Sequence, residues 1–135
     1  MDISTVEFSV YDKVTGQVTV SGTTQKVNAS FHVQPGQALV YKWLKGTEDY
    51  MDVTSQPMRP KLRPALPGFD KLTIKADGTD AATIVLPDAM TVTIDGLPAQ
   101  HEAGPLAFKA DSPGAYVVSI TQFPYLDFSA VITAT

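Results

Sequence analysis

Cysteine is absent from the 135-residue sequence, and histidine occurs only twice. Without cysteine the chain forms no disulfide and offers no thiolate to a metal, so its stability has to come from packing. His32 and His101 lie far apart, and neither has a second histidine at the spacing of a metal site. We interpret both as half-buried or loop side chains rather than as ligands or catalytic bases.

Sequence motifs of known chemistry are also missing. The nine glycines stand singly at turns instead of forming a phosphate-binding loop, and no GxSxG motif marks a nucleophilic serine. Asp77, Asp80 and Asp95 lie near turns but lack the alternating spacing of a calcium loop. The sequence therefore predicts no catalytic residue, no cofactor and no metal site, and a protein that is not an enzyme.

Long apolar runs and a basic charge are absent as well. No run reaches the roughly 18 apolar residues of a membrane span, and the first residues, MDISTVEFSV, lack the basic and apolar regions of a signal peptide. The net charge is −4, with seven Lys/Arg against six Asp/Glu in residues 1–63 and three against eight in residues 64–135. Without a long apolar run, we expect no membrane partner. We also expect no nucleic acid as a partner, because an acidic half repels phosphates.

Strand patterns separated by turns make up most of what the sequence does contain. In residues 72–76 (LTIKA) apolar and polar side chains alternate with a period of two, as in a half-buried strand. Asp77 and Gly78 predict a tight hairpin turn, after which residues 81–86 should return antiparallel. Residues 90–95 (MTVTID) alternate in the same way and predict a further strand.

The N-terminal part repeats this alternation less regularly. Residues 6–11 and 17–21 predict a first hairpin, and residues 27–33 (VNASFHV) predict a strand. A type II turn is expected at residues 34–37 (QPGQ), followed by a strand at residues 38–44 (ALVYKWL).

Four prolines interrupt the pattern in residues 55–70. Proline fixes φ and removes an N–H donor, so this segment cannot join a central sheet. We interpret it as an extended, Pro-rich connector between an N-terminal β-hairpin region, residues 1–54, and a C-terminal β-sandwich, residues 71–135.

The predicted fold class is all-β, in a single domain with an elaborated N-terminal part. Turn signals about every 8–12 residues in the C-terminal half favour an antiparallel, immunoglobulin-like β-sandwich without its cysteines. The residues predicted to be mostly buried on the inward faces are Ile74, Ile84, Val92, Ile94, Phe108, Tyr116, Val118, Phe128 and Ile132.

Aromatic residues suggest one candidate binding surface. Tyr41 and Trp43 would lie on the same face of a strand at residues 38–44, and Tyr50 follows shortly after. Such a platform would stack on a sugar ring. We favour the alternative, in which the three side chains belong to the core or to a subunit interface.

The connector offers a second candidate surface, because it is neither polar nor rich in Gly and Ser as flexible tethers are. Its Met58 and Leu62 provide apolar area, and Arg59, Lys61 and Arg63 provide positive charge. We expect an interaction arm whose cations face the acidic half of a neighbouring copy. The alternative is an ordered crossover that packs only on its own domain.

Five segments, which cover most of the chain, carry a resemblance to a known class of proteins. They are YDKVTGQVTVSG (residues 11–22), DYMDV with a following RP (49–60), KADGTDAATIVLP (75–87), VTIDG (92–96) and SPGAYVVSITQFPYLDFSAVITA (112–134). Together they resemble small virion structural proteins of tailed bacteriophages, of the kind found in tails, baseplates and fibre connections.

The resemblance implies a non-enzymatic virion component that is made in the host cytoplasm. Its partners would be other virion proteins and further copies of itself. Two alternatives stay open: a carbohydrate-binding or adhesin module, in which a glycan stacks on Tyr41 and Trp43, and a fibre-assembly chaperone.

Overall fold

The structure, a computed structural model, describes all of Met1–Thr135 and shows an all-β protein with one short helix. This confirms the predicted fold class. The chain forms two compact units, Met1–Arg63 and Pro64–Thr135, which we call the N-terminal unit and the C-terminal unit. Their boundary falls inside residues 55–70, so each unit includes part of the segment predicted as a connector.

The N-terminal unit contains a three-stranded sheet, a 3₁₀ helix and a two-stranded ribbon. Its elements in chain order are β1 (Thr5–Asp12), β2 (Val18–Gln25), the 3₁₀ helix (Lys26–His32), β3 (Gln37–Val40), β4 (Asp49–Asp52) and β5 (Arg59–Leu62). The sheet has the order β2-β1-β3, and β4 pairs with β5 in the ribbon; all of these pairs are antiparallel.

The predicted first hairpin is confirmed, with β1 and β2 as its strands. Asp12 closes the turn, because its Oδ1 accepts the N–H groups of Val14 and Thr15 at 2.8 and 2.9 Å. Gly16 ends the turn with a φ of 83°, and a Cβ at this position would lie only 1.8 Å from the carbonyl oxygen of Met51. Glycine is therefore required here both by the backbone conformation and by the close approach of β4.

The strand predicted at residues 27–33 is wrong, because this segment lies in the 3₁₀ helix. Only Ala29 is buried there, whereas Phe31 is exposed, so the alternation does not mark a buried sheet face. His32 is exposed and stacks on the ring of Phe8, with centroids 4.7 Å apart. Short apolar patterns do not distinguish a strand from a helical turn, and contacts with β1 and β2 settle this one.

The C-terminal unit contains two sheets. Its strands are β6 (Thr73–Ile74), β7 (Ala81–Leu86), β8 (Met90–Ile94), β9 (Leu97–His101), β10 (Gly104–Lys109), β11 (Gly114–Ile120) and β12 (Phe128–Ala134). A five-stranded sheet has the order β6-β12-β11-β8-β9, and a two-stranded sheet pairs β10 with β7. The pairs are antiparallel except for β6 and β12, which run parallel.

The predicted hairpin between residues 72–76 and 81–86 is wrong, although its turn is correct. Asp77 Oδ1 accepts the N–H groups of Thr79 and Asp80 at 2.8 Å each, and Gly78 has a φ of 72°. This turn leads the chain from one sheet into the other, since β6 pairs with β12 and β7 pairs with β10. A tight turn fixes the local change of direction, but it does not fix which strands pair afterwards.

Both sheets of the C-terminal unit contribute to one hydrophobic core. Five of the nine residues predicted for it are fully buried, and the other four are partly buried and pack against them. The fully buried residues are Ile74, Ile84, Val92, Val118 and Ile132, and the partly buried residues are Ile94, Phe108, Tyr116 and Phe128. The finer, immunoglobulin-like arrangement stays a prediction.

Candidate functional site

The residues predicted to form an interface all lie in the N-terminal unit, where the structure brings three of them around one shallow depression. Trp43, Lys61 and Leu62 line this depression, which has a volume of about 180 Å³. Tyr41, Tyr50, Met58, Arg59 and Arg63 are not among its lining residues. The interface itself stays a prediction.

Two serine hydroxyl groups fix the backbone on either side of Trp43. Ser9 is completely buried; its Oγ donates to the carbonyl oxygen of Lys42 at 2.7 Å and accepts the N–H of Leu44 at 2.8 Å. Ser21 Oγ lies 2.9 Å from Ser9 Oγ and donates to the carbonyl oxygen of Leu44 at 2.5 Å. Side-chain hydroxyl groups thus replace the strand pairing that ends at Val40.

This arrangement directs Trp43 outward. Leu44 is buried in a small core with Tyr11 and Met51, so its neighbour Trp43 points away from that core and is 50% exposed. Trp43 also lines a second depression of about 210 Å³, formed with Val18 and other residues at the start of β2. Its indole is consequently accessible from two sides while its backbone is held in place.

Leu62 lines the first depression together with Trp43; it ends β5 and is 73% exposed. Lys42, Lys61 and the carboxylate of Asp49 also line this depression, which leaves one positive charge in excess. Lys61 Nζ lies 4.0 Å from Asp52 as well, so Lys42 is the cation of the lining without an ion pair. We call Lys42, Trp43, Lys61 and Leu62 together the Trp43–Leu62 surface. It combines two exposed apolar side chains with two cations, beside the one carboxylate of Asp49, and this composition suits a partner that is apolar and acidic.

The outer edge of β5 is poorly suited to pairing with a further strand. The N–H of Met51 donates to the carbonyl oxygen of Gly16 at 2.9 Å, so the opposed pair Met51 and Pro60 is not hydrogen-bonded within the ribbon. Pro60 therefore leaves the outer edge of β5 one N–H donor short. A partner would be held by side chains rather than by main-chain bonds.

The aromatic platform predicted from Tyr41 and Trp43 does not form on a strand, because β3 ends at Val40 and the next two residues bend. The Tyr41 ring lies under Lys26, with Nζ 5.4 Å from the ring centroid, whereas Trp43 turns toward the depressions. Tyr50 lies on β4, opposite Lys61 of β5.

The remaining predicted residues of the arm have different surroundings. Met58 accepts a hydrogen bond from the Tyr11 hydroxyl group at Sδ, over 3.7 Å. Arg63 donates its backbone N–H to Glu48 and one guanidinium N–H to the carbonyl oxygen of Gly46, at 2.7 and 3.2 Å. Arg59 is exposed at the start of β5. Within the predicted arm, Arg59–Leu62 thus form strand β5 of the N-terminal unit, and Met58 and Arg63 flank it.

Asp52 has the most perturbed carboxyl group of the ribbon. Hydrogen bonds from the hydroxyl groups of Thr54 and Ser55, at 2.6 and 2.7 Å, together with the backbone N–H of Thr54, lower the pKa of Asp52 to about 2. Lys61, whose Nζ lies 4.0 Å away, acts in the same direction. Asp52 thus stays ionised beside Lys61 at any pH above this value.

We predict that a carboxyl ¹³C NMR titration of Asp52 has its midpoint at about 2, and that Thr54→Ala raises this midpoint. Because folding lowers the pKa, the contribution of Asp52 to stability is present above its unfolded pKa and is lost as the pH falls through about 2. Thr47→Ala, at an exposed threonine outside this group, should leave the midpoint unchanged. A midpoint near 3.8, the ordinary value, would contradict the hydrogen-bonded arrangement.

The aspartates considered for calcium in the C-terminal unit accept N–H groups of their own turns or of neighbouring strands. Asp77 closes the turn described above, and Asp80 accepts the N–H of Lys75 at 2.8 Å and the Lys71 ammonium at 2.5 Å. Asp95 accepts the N–H of Val117 at 2.8 Å. These bonds give each carboxylate a role in fixing the backbone.

A larger, open depression of about 500 Å³ lies on the C-terminal unit, and no sequence pattern predicts it. The rings of Phe108 and Tyr116 meet in it with centroids 5.3 Å apart. The residues that matter for its chemistry are the apolar Leu97, Phe108 and Tyr116, the carboxylates of Asp95 and Asp111, and the ammonium of Lys109. We call these six residues the C-terminal depression. His101 lines a smaller neighbouring depression of about 220 Å³.

No helix of the structure is long and apolar enough to span a membrane. Comparisons of the chain with protein-family models, with curated proteins and with solved structures each find no match.

Proposed function

We propose that this chain is a non-enzymatic structural component of a tailed-phage virion, which joins copies of itself or binds a larger tail or capsid protein. The virion setting rests on the sequence resemblance described above. The mode of action rests on one structural observation, the Trp43–Leu62 surface. It presents exposed apolar side chains on an ordered backbone, as a binding surface requires.

The fixed backbone of the Trp43–Leu62 surface supports a role in binding rather than incidental exposure of its apolar side chains. Single exposed apolar residues are common on protein surfaces and need no explanation. Here, however, the hydroxyl groups of Ser9 and Ser21 hold the backbone on either side of Trp43, and Leu62 extends from a paired strand. A preorganised surface loses little conformational entropy when a partner binds.

Immunogold electron microscopy of virions from the phage that encodes the chain tests the proposed setting. Antibody against the chain should label one repeated location on mature particles, such as the tail, the baseplate, the collar or a fibre attachment. Particles that stay unlabelled, although the antibody binds the purified chain, would contradict the proposal.

We predict that Leu62→Asp lowers the amount of the chain in purified virions by at least about tenfold, the effect of about 1.4 kcal/mol on binding. The substitution places a charge where an apolar contact is expected, and it leaves the buried core of the unit intact. Phe31→Asp changes another exposed apolar residue of the same unit and should leave incorporation unchanged. Equal incorporation of both variants and the wild type would show that this surface does not bind the particle.

The exposed indole of Trp43 also favours a second candidate function, carbohydrate binding, because aromatic faces stack on sugar rings. A glycan array separates the two functions. A carbohydrate-binding module would bind a defined glycan, and Trp43→Ala would abolish that signal. The virion proposal predicts no glycan signal that depends on Trp43.

A further inference from the structure

We propose that copies of this chain associate head to tail, with the Trp43–Leu62 surface of one copy docking on the C-terminal depression of a second copy. This inference rests on the proposed function and makes it more specific, since it names the surfaces that would join the copies. The occupant of the C-terminal depression is thus the N-terminal unit of another copy.

The docking surface presents Leu62 and Trp43 as apolar contacts, which are 73% and 50% exposed. Lys42 and Lys61 flank them at the same depression, where Asp49 is the one carboxylate in the lining, so one positive charge is in excess. Because Pro60 leaves the edge of β5 short of a donor, these four side chains rather than a strand ladder would provide the contacts.

The receiving surface has the complementary composition. Leu97, which is 75% exposed, and the paired rings of Phe108 and Tyr116 provide an apolar floor for Leu62 or Trp43. Asp95 and Asp111 provide negative charge at the same depression, where Lys109 is the one cation in the lining. Asp111 has a single long hydrogen bond, 3.4 Å from the hydroxyl group of Ser112, so its carboxylate remains available to a cation.

The charge of the two units favours a second copy as the partner. The N-terminal unit has seven Lys/Arg against six Asp/Glu, a net charge of +1, and the C-terminal unit has three against eight, a net charge of −5. Contacts between two C-terminal units bring like charges together, whereas a contact between the two kinds of unit brings opposite charges together. The head-to-tail arrangement is therefore the favoured one.

A contact between two different surfaces has a structural consequence. Each copy that is bound through one surface still presents the other, so association continues until a ring closes or a filament forms. Both depressions are shallow, and stable interfaces bury about 800 Å² on each partner. We therefore expect association of the isolated chain to be weak, to increase with protein concentration and to decrease with salt.

Sedimentation velocity of the full chain over a range of protein and salt concentrations tests this proposal. The wild type should form species larger than a dimer at high protein concentration and low salt. Lys42→Glu and Asp111→Lys should each weaken association at least about tenfold. The double variant carrying both substitutions should associate about as strongly as the wild type, because the opposed charges are exchanged.

Circular dichroism of each variant verifies that it is folded, and Lys13→Glu, at an exposed lysine outside the surface, serves as a charge-matched control. A double variant that associates no better than the single variants would overturn the head-to-tail contact. A wild type that stays monomeric at all concentrations would overturn it too. If the chain is nevertheless found in virions, only this inference fails; a chain that is missing from virions refutes the proposed function itself.

Discussion

Replacing Ile132 by alanine should lower the free energy of unfolding of the C-terminal unit by about 2–5 kcal/mol. Ile132 is fully buried on β12, in the core that both sheets of the unit share. The substitution removes buried methyl and methylene groups and leaves a cavity that the surrounding strands fill only in part. Phe128, on the same strand, is only partly buried and is expected to matter less.

Val131→Ala is the matched control for this prediction. Val131 neighbours Ile132 but points away from the core and is 49% exposed, so its truncation should change stability by no more than about 0.5 kcal/mol. Urea titrations followed by NMR signals from amides of β11 and β12 report on this unit specifically. Similar losses for both variants would show that the two faces of β12 are assigned incorrectly.

Replacing Ser9 by alanine should destabilise the N-terminal unit by about 1–3 kcal/mol, the cost of leaving a buried polar group without its partner. The N–H of Leu44 and the carbonyl oxygen of Lys42 both lose the hydroxyl group that binds them. Because the backbone around Trp43 is then less constrained, the indole should also become more mobile. Its contribution to any binding surface should fall accordingly.

Trp43 is the only tryptophan, so its fluorescence in a denaturant titration reports on the N-terminal unit. Fluorescence anisotropy of the folded variant measures the mobility of the indole directly. Ser30→Ala, at an exposed serine of the same unit, should match the wild type in both measurements. If Ser9→Ala also matches the wild type, the hydroxyl groups do not position Trp43.

Much of the fold follows from local sequence patterns. The alternation in residues 90–95 is the observed strand β8, and the turn at Asp77 and Gly78 is correct in detail. Such features depend on neighbouring residues only. Strand pairing, in contrast, depends on residues that are distant in the sequence. β6 pairs with β12 at the far end of the chain, and nothing in residues 72–86 specifies that partner.

The candidate site, like the strand pairing, could be predicted only in part from local sequence patterns. The sequence marks the aromatic residue Trp43 and a cationic segment as candidates, and Trp43, Lys61 and Leu62 lie at one depression. It does not predict that Trp43 is exposed, because the core or a subunit interface is the favoured place for its side chain. The strand expected to carry Trp43 ends early, because Ser9 binds the backbone of Lys42 and Leu44 from more than 30 residues away. The one local indication of this contact is that Ser9 stands among apolar residues of β1. The position of Ser9 alone does not show which backbone groups its hydroxyl group binds.

Quantitative mass spectrometry of mature virions, compared with the lysate in which they assemble, is the most direct test of the proposed role. A structural component should be present in purified particles in a fixed number of copies relative to the major tail or capsid protein. Cross-linked peptides should join it to itself or to such a protein. A chain that is abundant in the lysate but absent from mature particles would contradict this role and would favour the assembly chaperone instead.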